Sequence, residues 1–276
     1  KKKIKFSLNF DRVTKPMGPH ALLKNMRITE NPKIPTKIDK VFFDTDLKST
    51  EALEYLYKNH VSDQVLSQLL SLGVTGLKKS RRLVPTRWSI TAVDDTLGKS
   101  LLKEIRDFKH IDTHQLFFGY YMGNYYLVFL FPEVFSYELF ELYLPGSSWS
   151  FSDKITAATD YELFEGRKSY ASQTAGGYYA ARTGLLEYLK SIKRQGTALV
   201  LRFETPEYWA ALGVFVVREA MRKCMKATPI EFESRDLMVT YARHLAKIKF
   251  SVDLNAMLTN SQLYKRITEQ KKIFEF

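Results

Sequence analysis

The chain has 276 residues, 45% of them hydrophobic, which is enough to build a core and excludes a globally disordered chain. Lys and Arg number 42 against 30 Asp and Glu, and the resulting +12 favours a polyanionic partner, nucleic acid first, over a surface that merely leans basic. No apolar run approaches the ~20 residues of a membrane-spanning helix; the longest, residues 120–131, is broken by Gly123 and Asn124, so no membrane is expected as a partner.

Residues 1–48 carry Pro16, Gly18, Pro32 and Pro35 among lysines and few apolar runs, and read as an extended arm. A helix follows from Ser49 or Thr50 to His60, with Leu53, Leu56 and Tyr57 on one face. Ser62 is placed to cap a second, with Val65, Leu66, Leu69 and Leu70 at helical spacing and Gly73 as its stop. Residues 78–87 read as a basic loop and 96–108 as a helix. Strands are expected at 115–121 and 125–131, joined by the turn Met122-Gly123-Asn124, and at 136–144 before Pro145-Gly146. Residues 177–193 read as a helix, 197–203 as a buried strand, and 213–226 and 235–248 as helices. This pattern predicts an α+β body over 49–266, built on a mixed or antiparallel sheet flanked by helices. A candidate sub-boundary falls at 145–152, and a tail occupies 267–276. The single cysteine, Cys224, excludes an internal disulfide and a cysteine-built zinc site, and points to a packed thiol in a reducing compartment. No apolar segment follows the basic residues 1–5, so no secretory leader is expected.

Five cations, Lys78, Lys79, Arg81, Arg82 and Arg87, fall in residues 78–87 with no acid among them, and Trp88 follows. Such a cluster repels itself unless an anion offsets it, and phosphate suits arginine's fork. Trp88 offers a face for a base, or alternatively for the core. The carboxylate pairs Asp94 with Asp95 and Asp44 with Asp46 are candidates for holding Mg²⁺ at a nuclease centre, although Asp94 is equally placed to cap the following helix. Gly176-Gly177 before a helix leaves N–H groups for an anion, with Arg182 one to two turns on and Arg167 upstream. The P-loop Lys-Ser/Thr is missing there. His110 and His114 have metal-pair spacing, but no HExxH is present and each reads as a lone surface histidine. Gln270, Ile273 and Phe276 have the spacing of a peptide that docks a sliding clamp (a PIP motif): two apolar anchors in one turn with an amide at the rim.

Residues 78–95, KKSRRLVPTRWSITAVDD, and 176–189, GGYYAARTGLLEYL, resemble two signatures of the archaeal Nre family of DNA repair proteins. Met17-Gly18-Pro19, the run 30–35, Asp44-Thr45-Asp46-Leu47 and Glu165-Gly166-Arg167 fit the same family, and the similarity covers residues 10–276. The resemblance implies a role in DNA damage repair and a C-terminal motif for the sliding clamp (PCNA), matched here by Gln270, Ile273 and Phe276. It supplies no reaction. Longer members carry an N-terminal four-cysteine zinc module that is not found here, so this chain is expected to be a fragment or a zinc-free variant. The family's tail ends in two aromatics, whereas Glu275 precedes Phe276 here, and weaker clamp binding is expected.

The expectation is therefore a DNA repair protein, cytoplasmic and nucleoid-associated. It would bind DNA through Lys78, Lys79, Arg81, Arg82, Arg87 and Trp88, with Arg167 and Arg182 on the same face. Two alternatives stay open: a metal-dependent nuclease using Asp94, Asp95, Asp44 and Asp46, and a non-catalytic module that recruits other repair factors to the clamp.

Overall fold

The computed structural model describes residues 33–150, 152–208 and 212–269. The chain divides into two units, Lys1–Thr96 with Ala210–Gly213, and Leu97–Trp209 with Val214–Phe276.

The first unit is helical among the described residues. Helix α1, Thr36–Phe43, follows Pro35, whose fixed backbone suits a helix start; it lies inside the segment expected to be an arm. Helix α2, Ser49–Lys58, and α3, Asp63–Ser71, occupy the expected positions. Ser62 caps α3 by accepting from the Val65 amide at 3.4 Å. Helix α2 packs on α1 and on α3, and Val41, Ala52, Leu53, Leu56, Val61 and Leu66 are buried. A 3₁₀ turn, Lys78–Ser80, follows.

Helix α4, Thr86–Ile105, starts ten residues before the expected position and ends in the second unit. The β-branched Ile90 and Thr91 and the paired Asp94-Asp95 disguise its first half, while Pro85 just before it is a helix-start signal. Asp94 thus lies inside the helix and does not cap it.

The second unit is a six-stranded mixed sheet in the order β4-β3-β5-β2-β1-β6. Its strands are β1 His114–Tyr121, β2 Asn124–Phe131, β3 Tyr137–Tyr143, β4 Thr156–Glu162, β5 Thr197–Glu204 and β6 Ile230–Phe232. Strands β3 and β5 run parallel and all other neighbours are antiparallel. Met122 and Gly123 link β1 to β2 with φ values of 49° and 73°, the paired positive φ of a tight hairpin turn. Gly146, φ 80°, turns the chain after Leu144, within the candidate sub-boundary 145–152.

Helices cover both faces. One face carries Phe117, Tyr126, Val128, Leu130, Leu139, Ala198 and Val200, packed with Ala180, Ala181, Leu185, Leu186 and Leu189 of α5, Ala175–Ser191, and Ala220 and Met221 of α6, Val214–Cys224. The other carries Leu116, Leu127, Phe129, Phe131, Phe140, Leu199, Leu201 and Phe203 beneath Met238, Val239, Ala242 and Ala246 of α7, Arg235–Phe250. Strand β5 is buried along its whole length, so its alternate side chains feed both cores. Each fully buried Leu or Phe contributes about 1.5–3 kcal/mol. The α+β class and the flanked mixed sheet are those the sequence predicts. Two strands escape it: β4, TAATDYE, holds the poor strand formers Ala and Asp, and β6 has three residues. Helices α8, Asn255–Asn260, and α9, Gln262–Glu269, follow α7. Glu138 accepts from Ser261 Oγ at 2.5 Å and the Leu263 amide at 3.0 Å, fixing the start of α9 to β3. Burial holds the Glu138 carboxyl above its ordinary range against those hydrogen bonds. Gln270, Ile273 and Phe276 lie outside the described residues.

Candidate nucleic-acid interface

Backbone bonds hold the basic run in place. The Lys78 amide donates to Thr45 O at 3.0 Å, the Val84 amide to Ser71 O at 2.9 Å, and Ser71 Oγ to Val84 O at 2.7 Å. Pro85 O then accepts from the Trp88 amide at 2.9 Å and the Ser89 amide at 3.1 Å, opening α4. The segment is thereby braced at both ends, and its side chains separate into two sets.

Arg81 belongs to the inner set. Its Nε donates to Gly76 O at 2.7 Å, and its terminal nitrogens reach Phe42 O at 2.6 Å and Asp44 O at 2.6 Å, with Val41 O at 3.4 Å. These carbonyls include the end of α1, where a cation is favoured. The sequence predicts Arg81 among the DNA contacts; its fork is engaged by backbone carbonyls of this chain. Lys78, Lys79, Arg82 and Arg87 form the outer set. All four are exposed, and none makes an ion pair among the described residues. Trp88 is 63% exposed and Leu83 78%, so the indole faces solvent and not the core.

The carboxylates do not assemble. Asp44 Oδ1 accepts from the Asp46 and Leu47 amides at 3.2 and 3.0 Å, a local turn bond. Asp94 is 0% exposed inside α4, and its neighbour Asp95 points about 100° away around the helix. Among the described residues no three His, Cys, Asp or Glu side chains come together to hold a metal, so a Mg²⁺ site at these carboxylates gains no support from the geometry. His114 packs edge-on against Phe131 at 6.1 Å, and His110 bridges to Gln195 through its backbone.

The second glycine-containing signature builds core. Gly176 and Gly177 fall in the first turn of α5 and are buried, not poised for an anion. A Cβ on Gly177 would strike Glu141 Oε1, so only glycine lets β3's carboxylate approach the helix. Glu141 pairs with Arg202 at 2.6 Å, and Arg202 also reaches Glu204 at 3.1 Å and Asn124 Oδ1 at 2.5 and 2.9 Å. Burial alone would lower the Arg202 pKa, but Glu141, Tyr126 and Glu204 hold it raised. Burial raises the Glu204 carboxyl, and Arg202 opposes that shift.

Arg182 is 1% exposed and ion-paired with Glu162 at 2.8 Å, and its guanidinium lies 5.7 and 5.5 Å from the ring centroids of Tyr178 and Tyr179. Arg167 pairs with Asp160 at 3.1 Å and donates to the carbonyls of Tyr161, Tyr170 and Ser169. The sequence predicts both on the DNA-facing surface; here the guanidinium of Arg182 is sealed in the core and that of Arg167 is engaged by Asp160 and three carbonyls. The acids Glu141, Asp160, Glu162 and Glu204 and the cation Arg202 were not singled out from sequence. For Glu141, Arg202 and Glu204 the signal is a charge at a core position of an apolar strand, as in LFELY and LVLRFE; Asp160 and Glu162, in the polar strand TAATDYE, carry no such signal. Burial pushes the Cys224 thiol up to about 12.

Models of two families match the chain, "Archaeal Nre, N-terminal" over residues 1–150 and "Archaeal Nre, C-terminal" over residues 162–276. The chain belongs to the archaeal Nre family. Among curated Nre relatives, DNA repair protein NreA of Archaeoglobus fulgidus is 43% identical over 241 residues, covering 87% of this chain and 61% of the relative. DNA repair protein NreB of the same organism is 38% identical over 268 residues, 97% of this chain and 66% of the relative. DNA repair protein NreA of Haloferax volcanii is 38% identical over 226 residues, 81% of this chain and 54% of the relative. The matched region is therefore between about half and two thirds of each relative's length. No solved structure matches the chain significantly. Among the described residues no helix is long and apolar enough to cross a membrane.

Proposed function

We propose that this Nre-family chain acts in DNA repair by gripping DNA phosphates with Lys78, Lys79, Arg82 and Arg87 and by docking a sliding clamp with Gln270, Ile273 and Phe276. The carrying observation is the outer set of four exposed cations on a braced segment, none of them ion-paired among the described residues. A loop that presents cations without counter-charge is stabilised when phosphate arrives, and releasing condensed counterions drives the association. Trp88 beside them gives a flat apolar face to a sugar or base. The names of the curated relatives support the process, and the excess of 12 positive charges supports the partner. The nuclease alternative loses ground because Asp94 is buried in a helix and Asp44 serves a turn.

Combining Lys78→Ala, Lys79→Ala, Arg82→Ala and Arg87→Ala tests the DNA half. Fluorescence anisotropy with a short duplex is expected to show at least a tenfold loss at moderate salt with unchanged thermal unfolding. Equal affinity in the folded variant overturns it. The clamp half rests on the spacing of Gln270, Ile273 and Phe276 alone. Burying Phe276 returns about 1.5–3 kcal/mol, so Phe276→Ala should weaken a micromolar interaction with the cognate clamp about tenfold or more in calorimetry. No heat from either protein rejects it.

A further inference from the structure

The β1–β2 hairpin ends in aromatic rings that the core does not absorb. Tyr120 and Tyr125 are cross-strand partners, and their rings stack at 5.1 Å and 19°. Phe118 stacks on Tyr125 at 6.2 Å and 27°, and Phe250 of α7 meets Tyr125 edge-on at 5.3 Å. The ladder is graded from inside to outside. Phe250 lies flat on the buried Phe203 at 4.3 Å, whereas Tyr120 is 53% exposed, with exposed Met122 at the turn. Hydrogen bonds brace the hairpin that carries the rings. Tyr125 Oη donates to Glu207 at 3.0 Å, and the Thr205 amide and Oγ1 both donate to Gly123 O, at 3.0 and 3.1 Å.

The rings are accompanied by cations. Lys223 Nζ stands 5.6 Å from the Tyr120 centroid and 5.1 Å from Tyr121, and Lys249 Nζ stands 5.3 Å from Phe118. Both lysines are exposed, and among the described residues neither is ion-paired with a carboxylate. Glu207, the acid next to the ladder, is engaged by Tyr125.

We propose that this platform stacks the bases of single-stranded DNA, with Tyr120 as the outermost ring and Lys223 and Lys249 on the adjoining phosphates. The proposal rests on the chain being a DNA-binding protein and adds a second site and a preferred strand state. Interleaved aromatic faces and cations not paired with acids are what sequence-tolerant single-strand binding requires, because every base has a face to stack and every step a phosphate. A duplex keeps its bases inside the stack and cannot use the ring. An acidic peptide would use the lysines and gain little from the exposed ring of Tyr120.

The test is anisotropy titration of a labelled oligothymidylate and of a duplex of equal length. The proteins are the intact chain, Tyr120→Ala, Tyr120→Phe, the Lys223→Ala/Lys249→Ala pair, and the four-fold 78–87 variant. Tyr120→Ala is expected to weaken oligothymidylate binding roughly five- to hundredfold, the range for one stacked base. Its duplex affinity should not change, and Tyr120→Phe should retain single-strand affinity. The lysine pair should reduce the single-strand salt slope by about 1.4, from ~0.7 per phosphate. The same pair decides the matter if Tyr120→Ala does not fold. Unchanged oligothymidylate binding in Tyr120→Ala and in the lysine pair overturns the platform. So does displacement by polyglutamate with equal potency from the intact chain and Tyr120→Ala. If the platform fails while the four-fold variant still loses duplex, DNA binding by residues 78–87 stands. If the intact chain binds neither probe, the DNA-binding reading itself falls.

Discussion

Residues 78–88 and the sheet face under α5 both concentrate charge, and they handle it in opposite ways. There Arg202 of β5 and Arg182 of α5 itself are sealed against Glu141, Glu204 and Glu162, and the helix is cut back to glycine at 177 to let a carboxylate in. In the basic run only Arg81 is used internally, and it fixes the loop from which four other cations face water. Arg81 and Arg82 are neighbours with the same side chain and different work. A count of arginines therefore measures neither stability nor ligand binding until each guanidinium's five donors are assigned.

The buried network should give the largest effect. Arg202→Met leaves Glu141 and Glu204 buried without their cation, and a loss of about 3–5 kcal/mol is expected in chemical denaturation. Gly177→Ala attacks the same place by overpacking Glu141 and should cost about 1–3 kcal/mol. A neutral outcome for both would mean the network carries no structural weight. Next comes Arg81→Ala, which strips charged hydrogen bonds from the carbonyls at the end of α1. A loss of about 1.5–3 kcal/mol and faster amide exchange in α1 are expected. Its DNA affinity should stay close to that of the intact chain under conditions where it is folded. A DNA defect with an intact α1 would move Arg81 to the outer set.

The sequence shows most of the second unit because its strands and α5 alternate or repeat in their apolar residues, as at 124–131 and 197–204. It hides β4, where Ala and Asp fill a strand at the sheet edge, and the first half of α4, where β-branched residues and adjacent acids break the helical pattern. The basic run is legible as a run. Its division is not, because Arg81's partners lie about 5 to 40 positions away and meet it only in the fold. GGYYAAR reads as an anion cradle for the same reason: the carboxylates that explain Gly177 and Arg182 come from strands β3 and β4.

A pH series sharpens the role of buried acid. Burial raises the Glu138 carboxyl, so the folded state takes up its proton more readily than the unfolded chain does. That contribution is fully present below the ordinary carboxyl pKa and is lost as pH rises through the raised value. The melting temperature of the intact chain should therefore gain on that of Glu138→Gln as pH falls from 7 towards 4. A gap that moves the other way on acidification would contradict the shift. The smallest effect belongs to Cys224. With its thiol pushed up to about 12 by burial, it should stay unmodified by a thiol reagent at pH 8 and react at once in denaturant.

The division of the basic run into spent and available cations is tested most directly by the salt dependence of duplex binding. Each phosphate that a variant no longer neutralises lowers the slope of log K against log salt by about 0.9. Removing Lys78, Lys79, Arg82 and Arg87 together should flatten the slope by about 3 to 4 on that basis, while Arg81→Ala leaves it within about half a unit of the intact chain. An equal slope in the four-fold variant, or a slope that falls only when Arg81 is removed, would contradict it.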